Sequence, residues 1–237
     1  TARTRVPHVR VHVAERAMVT WLLLDVSPSM TFGTADRRKL DVLQGVALAV
    51  AYVGTRRGNR LGVGTFGGNK WESSPPRAGQ YGMLALHKFL LREPELAGTG
   101  PTSLGEALRR VDRLALRRGV IVIVSDFRGP RDWRRSLLQL AGRHDVIAVE
   151  IRDPREMELP DVGEITFVDP ETGRELRVDT TSRKLRERFA AAAATERHEL
   201  ARELRSAGIE HVILSTAGEW LRPLVTSLHS RKRGVFR

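Results

Sequence analysis

Two hydrophobic rhythms alternate along the chain. Val9, Val11 and Val13 alternate with His8, Arg10 and His12, the period of a half-buried strand. "MVTWLLLDV" is apolar almost without a break, as expected of a strand covered on both faces. From 39 to 57 the period changes. Leu40, Leu43, Val46, Ala47, Val50 and Ala51 recur at helical spacing, and Gly58 and Asn59 close the segment. "RLGVGTF" predicts a further strand and "KWESSPP" a short one ending at prolines. Helices are predicted over 79–92, 104–118 and 131–143. Between them lie the loop "GTGPTS" and the strand "GVIVIVSD", the clearest buried strand in the chain. The strand "DVIAVEI" follows. "GEITFVDPETGRELRVDT" then breaks the rhythm, with two alternating segments around Pro170 and Gly173, and reads as an inserted β-hairpin near 164–179.

The C-terminal part returns to the first pattern. Leu185, Phe189, Ala193, Leu200 and Leu204 form the stripe of a long helix that Ser182 can cap and Gly208 can end. "EHVILST" is a last strand and residues 219–229 a closing helix. Apolar strands separated by amphipathic helices predict an α/β fold, a doubly wound, mostly parallel sheet flanked by helices. No internal repeat or long linker divides the chain, so residues 1–237 are expected to form a single domain. It opens "TARTRVPH", without methionine, and reads as the C-terminal part of a longer protein whose N-terminal segment is missing. No apolar run approaches the roughly 20 residues that span a bilayer.

Composition narrows the chemistry. The absence of cysteine excludes disulfides and thiolate metal sites. The net charge is +12, from 40 basic and 28 acidic residues, yet only five of the 40 are lysine. An anionic partner would suit this charge, but the basic residues are scattered among acids with few aromatics. That argues against specific nucleic-acid binding and for a solvated surface. The densest cluster, Arg231-Lys232-Arg233, lies at the C-terminus, and His8 and His12 lack a third metal ligand nearby. Trp21, Phe66 and Met30 read as core. Trp71 and Trp133 are open between partner anchors and helix covers. Arg128 is open between steering an acidic ligand and ordinary surface charge.

Function is written most clearly in "LDVSPSM". A buried strand ends in Asp25, and two hydroxyls follow at Ser27 and Ser29. This is either a capping loop or half of a metal site. In a parallel sheet, ligands bind beyond the carboxyl ends of the strands. Asp126 ends "GVIVIVSD", and Thr102 and Ser103 precede a helix, so Asp25, Ser27, Ser29, Thr102 and Asp126 are expected on one rim. An all-oxygen set suits Mg²⁺ or Mn²⁺ rather than Zn²⁺. Two carboxylates balance a divalent cation and the hydroxyls add no charge, so the cation would still accept an outside carboxylate. A Mg²⁺-dependent phosphohydrolase is the enzymatic alternative, but it needs a second acid two residues after Asp25, where Ser27 stands. "GTGPTS" lacks the Gly-Lys-Ser/Thr end of a phosphate loop. A third alternative is an adaptor that uses its arginine-rich surface and carries a non-functional metal site.

"DVSPSM", "GTGPTSLGEAL" and "VIVIVSDF" resemble, in order and spacing, the three parts of the metal-ion-dependent adhesion site of von Willebrand factor type A domains. Over nearly its whole length the chain also resembles a bacterial family, domain of unknown function fifty-eight. The resemblance is carried by "GNRLGVGTFG", "RHDVIAVEIRDPREMELPDVGEI", "DPETGRELRVDT" and "EWLRPL". It implies a von Willebrand A-like fold and a non-enzymatic, cytoplasmic interaction domain, membrane-associated only through the missing segment. It further implies a MoxR-type AAA+ ATPase as partner in the maturation of other proteins. In the site it implies Ser27, Ser29 and Thr102 as direct ligands, Asp25 and Asp126 as direct or water-mediated ones, and a shift of the last helix on ligation.

Overall fold

The computed structural model describes residues 17–33, 35–68, 71–91, 103–168 and 173–232. The alternating segment at residues 8–13, Thr102, Pro170 and Arg233 lie outside them, and so do the expectations placed on those residues.

Six strands form one sheet in the order β3-β2-β1-β4-β5-β8. These are β1 (Val19–Asp25), β2 (Arg60–Phe66), β3 (Glu72–Ala78), β4 (Val120–Ser125), β5 (Asp145–Arg152) and β8 (Glu210–Ser215). All pairings are parallel except β2 with β3. Pro75 and Pro76 fit in β3 because it is an edge strand and they lie where its register with β2 shifts, so neither is a paired position of the ladder. The separate hairpin pairs β6 (Glu164–Val168) with β7 (Glu175–Asp179), as the alternating pattern predicts. At its base the buried Thr180 donates from its backbone N–H and its hydroxyl to the Gly163 carbonyl, at 2.9 and 2.7 Å.

The continuous apolar strands are explained by two separate cores. On β1, Leu22 and Leu24 face one side, Trp21 and Leu23 the other. On β4, Val120, Val122 and Val124 oppose Ile121 and Ile123 in the same way. The first core is covered by α1 (Lys39–Gly54), α2 (Gly79–Leu90) and α6 (Leu221–Lys232). The second is covered by α3 (Leu104–Leu114), α4 (Arg134–Ala141) and α5 (Arg183–Ser206). Each fully buried leucine contributes about 1.5–3 kcal/mol. Gly45 of α1 is needed at its contact with Trp220, just before α6, since a Cβ there would sit 2.5 Å from that ring.

Four helices are shorter than their pattern; α1 ends at Gly54 instead of 57 and α2 at Leu90 instead of 92. α3 stops at Leu114 instead of continuing to 118: Ala115 still packs into the second core, but Leu116 beyond it is 80% exposed. α4 begins at Arg134 instead of 131. The carboxylate of Asp132 is held at the start of α3 by the Gly105 N–H, 3.2 Å, and the Ser103 hydroxyl, 3.3 Å. Trp21, Phe66 and Met30 are buried as expected. Trp133 is a core residue, not a partner anchor: it is 2% exposed and meets Phe127 edge-on at 6.2 Å. Among the described residues no helix is long and apolar enough to cross a membrane.

Candidate metal centre at the carboxyl edge

Strand order reverses at β1. The chain runs from β1 outward through β2 to β3, then returns to the other side of β1 for β4, β5 and β8. The carboxyl ends of β1 and β4 therefore flank the switch point, where doubly wound sheets open a crevice. Asp25 closes β1 and Asp126 directly follows β4.

The loop after β1 is folded around Asp25. Its backbone first extends the sheet, Val26 N–H donating to the Phe66 carbonyl at 2.8 Å. Ser27 N–H then turns back to Asp25 Oδ1 at 3.0 Å, and a 3-10 turn, Pro28–Thr31, follows. Pro28 suits the first position of that turn, where no N–H is required. Met30 is fully buried beneath the turn and pins it to the first core. This places Ser27 Oγ 3.0 Å from Ser29 Oγ. Gly67 closes the floor. Its φ is +83°, and a Cβ there would lie 2.7 Å from Ser27 N and 2.8 Å from Asp25 Oδ1.

The loop after β4 supplies the second half. Ser125 Oγ donates to Asp25 Oδ2 at 2.5 Å and accepts from Phe127 N–H at 2.9 Å. Phe127 takes a left-handed conformation, φ 56°, rare for an aromatic residue. Arg128 N–H can then return to Asp126 Oδ1 at 3.1 Å. The other oxygen of Asp126 accepts from Lys39 Nζ at 2.6 Å, and the same ammonium donates to Glu156 Oε1 at 2.7 Å. Lys39 is 0% exposed. It lies in the first turn of α1, the end of a helix that disfavours a cation, and the two carboxylates offset both that field and its desolvation. Behind it, the buried Asp153 accepts from Thr216 Oγ1 at 2.7 Å, tying the ends of β5 and β8 together.

Asp25 is the strained charge of the rim. Burial first, and the neighbouring charge of Asp126 second, push its pKa up from 3.8 to about 7, against the hydrogen bonds from Ser125 and Ser27. Among the described residues no cation pairs with its carboxylate, since Lys39 is engaged with Asp126 and Glu156.

Two features of the donor set suit a divalent cation. An octahedral magnesium with bonds of 2.0–2.1 Å separates adjacent ligands by about 2.9 Å, and the two serine hydroxyls stand 3.0 Å apart. A buried carboxylate whose pKa is driven upward would be held ionised by a cation beside it. Asp25, Ser27 and Ser29 fit such an ion. Asp126 stands close enough to Asp25 to act on its charge, but its two oxygens accept from Lys39 and from the Arg128 N–H. Among the described residues no cluster of three or more histidine or carboxylate side chains is placed to hold a metal, so any site here depends on hydroxyls.

Sequence reasoning missed Lys39, Glu156, Ser125 and Gly67. One signal for Lys39 was available. A chain that places arginine at nearly every basic position uses lysine here, where a compact ammonium fits between two buried acids and a planar fork would not.

Residues 1–199 match the family described as "Protein of unknown function DUF58". The chain is 39% identical over 238 residues to protein Rv1480 of Mycobacterium tuberculosis, covering 100% of this chain and 74% of that one. It is 40% identical over 168 residues to protein MAV169 of Mycobacterium avium, covering 68% of this chain and 95% of that one. In solved structures it is similar to BatB from Bacteroides thetaiotaomicron, with TM-score 0.57, 14% identity and coverage of 91% and 98%. It is also similar to the SpRpn10 VWA domain, with TM-score 0.53, 15% identity and coverage of 89% and 95%. At these identities the likeness is one of fold: an α/β domain with a mostly parallel sheet, similar to von Willebrand A domains.

Proposed function

This chain belongs to the DUF58 family, and from that premise we propose that it is a non-enzymatic protein-interaction domain whose binding depends on a divalent cation. Asp25, Ser27 and Ser29 would hold Mg²⁺ or Mn²⁺, with Thr102 and Asp126 completing the set directly or through water. The observation that carries this reading is the pair of hydroxyls 3.0 Å apart beside the buried Asp25 at the switch point of the sheet. When bound, the cation supplies a Lewis-acidic position for a carboxylate of a partner. Ser27 and Ser29 add no charge and leave that position electrophilic. Asp25, anchored by Ser125 and by the Ser27 N–H, orients the loop. In this reading the partner is a MoxR-type AAA+ ATPase and the domain an adaptor in the maturation of other proteins. It works in the cytoplasm, with any membrane link made by sequence outside this chain.

The test combines Mn²⁺ binding, followed by electron paramagnetic resonance, with recovery of partners from the native cell with and without Mg²⁺. Asp25→Ala should lose the metal and the partner together. Partner binding that survives Asp25→Ala and Asp126→Ala combined sinks the mechanism.

One observation favours a second reading. Lys39 already occupies Asp126, as a built-in cation would, which suits an adaptor that needs no metal and binds through its basic surface. Binding indifferent to EDTA but weakened by salt would select it.

A further inference from the structure

A crevice opens beside the candidate metal centre, between α5 and the carboxyl ends of β4 and β5. Asp126 and Arg128 border it on one side, Glu150 and Arg152 on another, and Arg197 and Leu200 of α5 close it. Its enclosed space is about 20 Å³, room for one small polar group. The charges around it are nearly all matched. Lys39 answers Asp126 and Glu156. Arg152 grips both oxygens of Glu150 at 2.6 and 2.7 Å, and His211 Nε2 stands 2.7 Å from the same carboxylate. Arg131 pairs with Glu199 at 3.0 Å. Among the described lining residues the exceptions are Glu196, which enters no ion pair, and Arg197, whose Nη1 is buried without a hydrogen-bond partner.

We propose that this crevice is an anion subsite in which Arg197, backed by Arg128 and Arg152, receives a carboxylate from a partner. An orphaned guanidinium nitrogen in an enclosed place costs more than a neutral donor would, and an acid group satisfies both its hydrogen and its charge. The positive field of Arg152 and Arg128 at Arg197 adds to the preference for an anion, while Glu150 and Glu156 oppose it. The small volume admits the tip of an acidic side chain. This deepens the proposed function by naming the partner's chemistry: a segment with two acidic groups, one for the cation and one for Arg197. It rests on that reading only for the pairing of the two sites, since the Arg197 subsite needs no metal.

The test is therefore run first without metal. The full chain, labelled with ¹⁵N at arginine, is titrated with sodium acetate in EDTA at constant ionic strength, and the arginine side-chain resonances are followed. Wild type should show a saturable shift. Arg197→Gln should weaken it about ten-fold, as expected for loss of one charge-assisted hydrogen bond. Arg118→Gln removes the same charge at the opposite edge of the sheet, before β4, and should behave as wild type. Equal responses in all three proteins, a shift that only rises linearly, or tighter binding of inorganic phosphate than of acetate overturns the subsite. Repeating the acetate titration with Mn²⁺ separates the two readings. Failure to bind Mn²⁺ removes the metal centre and leaves the Arg197 result standing.

Discussion

Asp25→Asn should make the protein more stable while removing its proposed activity. The carboxyl is 0% exposed, and its pKa rises from 3.8 to about 7 through burial and the charge of Asp126. Between those two values the folded state holds a proton that the unfolded chain has lost. Stability of the metal-free protein must then fall as pH rises from about 4 to 7, and level off above. A displacement of that size corresponds to about 4 kcal/mol at pH 8. Asparagine keeps the acceptor for the Ser27 N–H but loses the charged acceptor for Ser125 Oγ, worth about 1 kcal/mol. The expected net gain is about 3 kcal/mol. Urea denaturation in EDTA at pH 5 and pH 8 measures it. The wild type should lose stability between the two and the variant should change much less. A metal arm completes the experiment. Mn²⁺ at a hundred times its dissociation constant should raise wild-type stability by about 2.7 kcal/mol and leave the variant unchanged. The reasoning is refuted if Asp25→Asn is no more stable at pH 8 or keeps the wild-type slope. If Mn²⁺ stabilises both proteins equally, Asp25 is not a ligand.

Lys39→Met should destabilise by about 3–5 kcal/mol, because Asp126 and Glu156 are left buried without their shared cation; the denaturation midpoint reports this. If that variant is folded, two freed carboxylates should tighten Mn²⁺ binding, and an unchanged affinity would show that Lys39 is electrically remote from the site. Gly67→Ala should cost about 2 kcal/mol or more, from its positive φ and the 2.7 Å approach to Ser27 N, and should weaken Mn²⁺ binding by displacing the Ser27 loop. Leu108→Ala, at 0% exposure beneath the sheet, should cost about 2–5 kcal/mol in denaturant with metal affinity unaffected.

The sheet was largely legible because its strands are buried on both faces. Leu22, Leu23 and Leu24 of β1 must all be apolar once helices cover both sides, and the same holds for Ile121, Val122 and Ile123 of β4. Helix ends were less legible. Periodicity does not reveal that burial beyond α3 ends at Ala115, or that Asp132 is taken by Gly105 and Ser103 before α4 begins.

Within the site, Asp25, Ser27, Ser29 and Asp126 were readable because each sits at or just after the end of an unmistakable strand, and strand ends in a parallel sheet share one edge. The sequence by itself determined that edge and its oxygen donors. Tertiary structure alone decided their electrostatics. Lys39 meets Asp126 across 87 residues and Glu156 across 117, while Ser125 reaches Asp25 across 100. Local pattern carries no information about such pairs. Periodicity records which face a residue turns to the core, but a buried ionic contact is set by where the packed helices bring the ends of distant side chains. Among the described residues, that placement leaves Asp25 without a paired cation and Arg197 Nη1 without a hydrogen-bond partner.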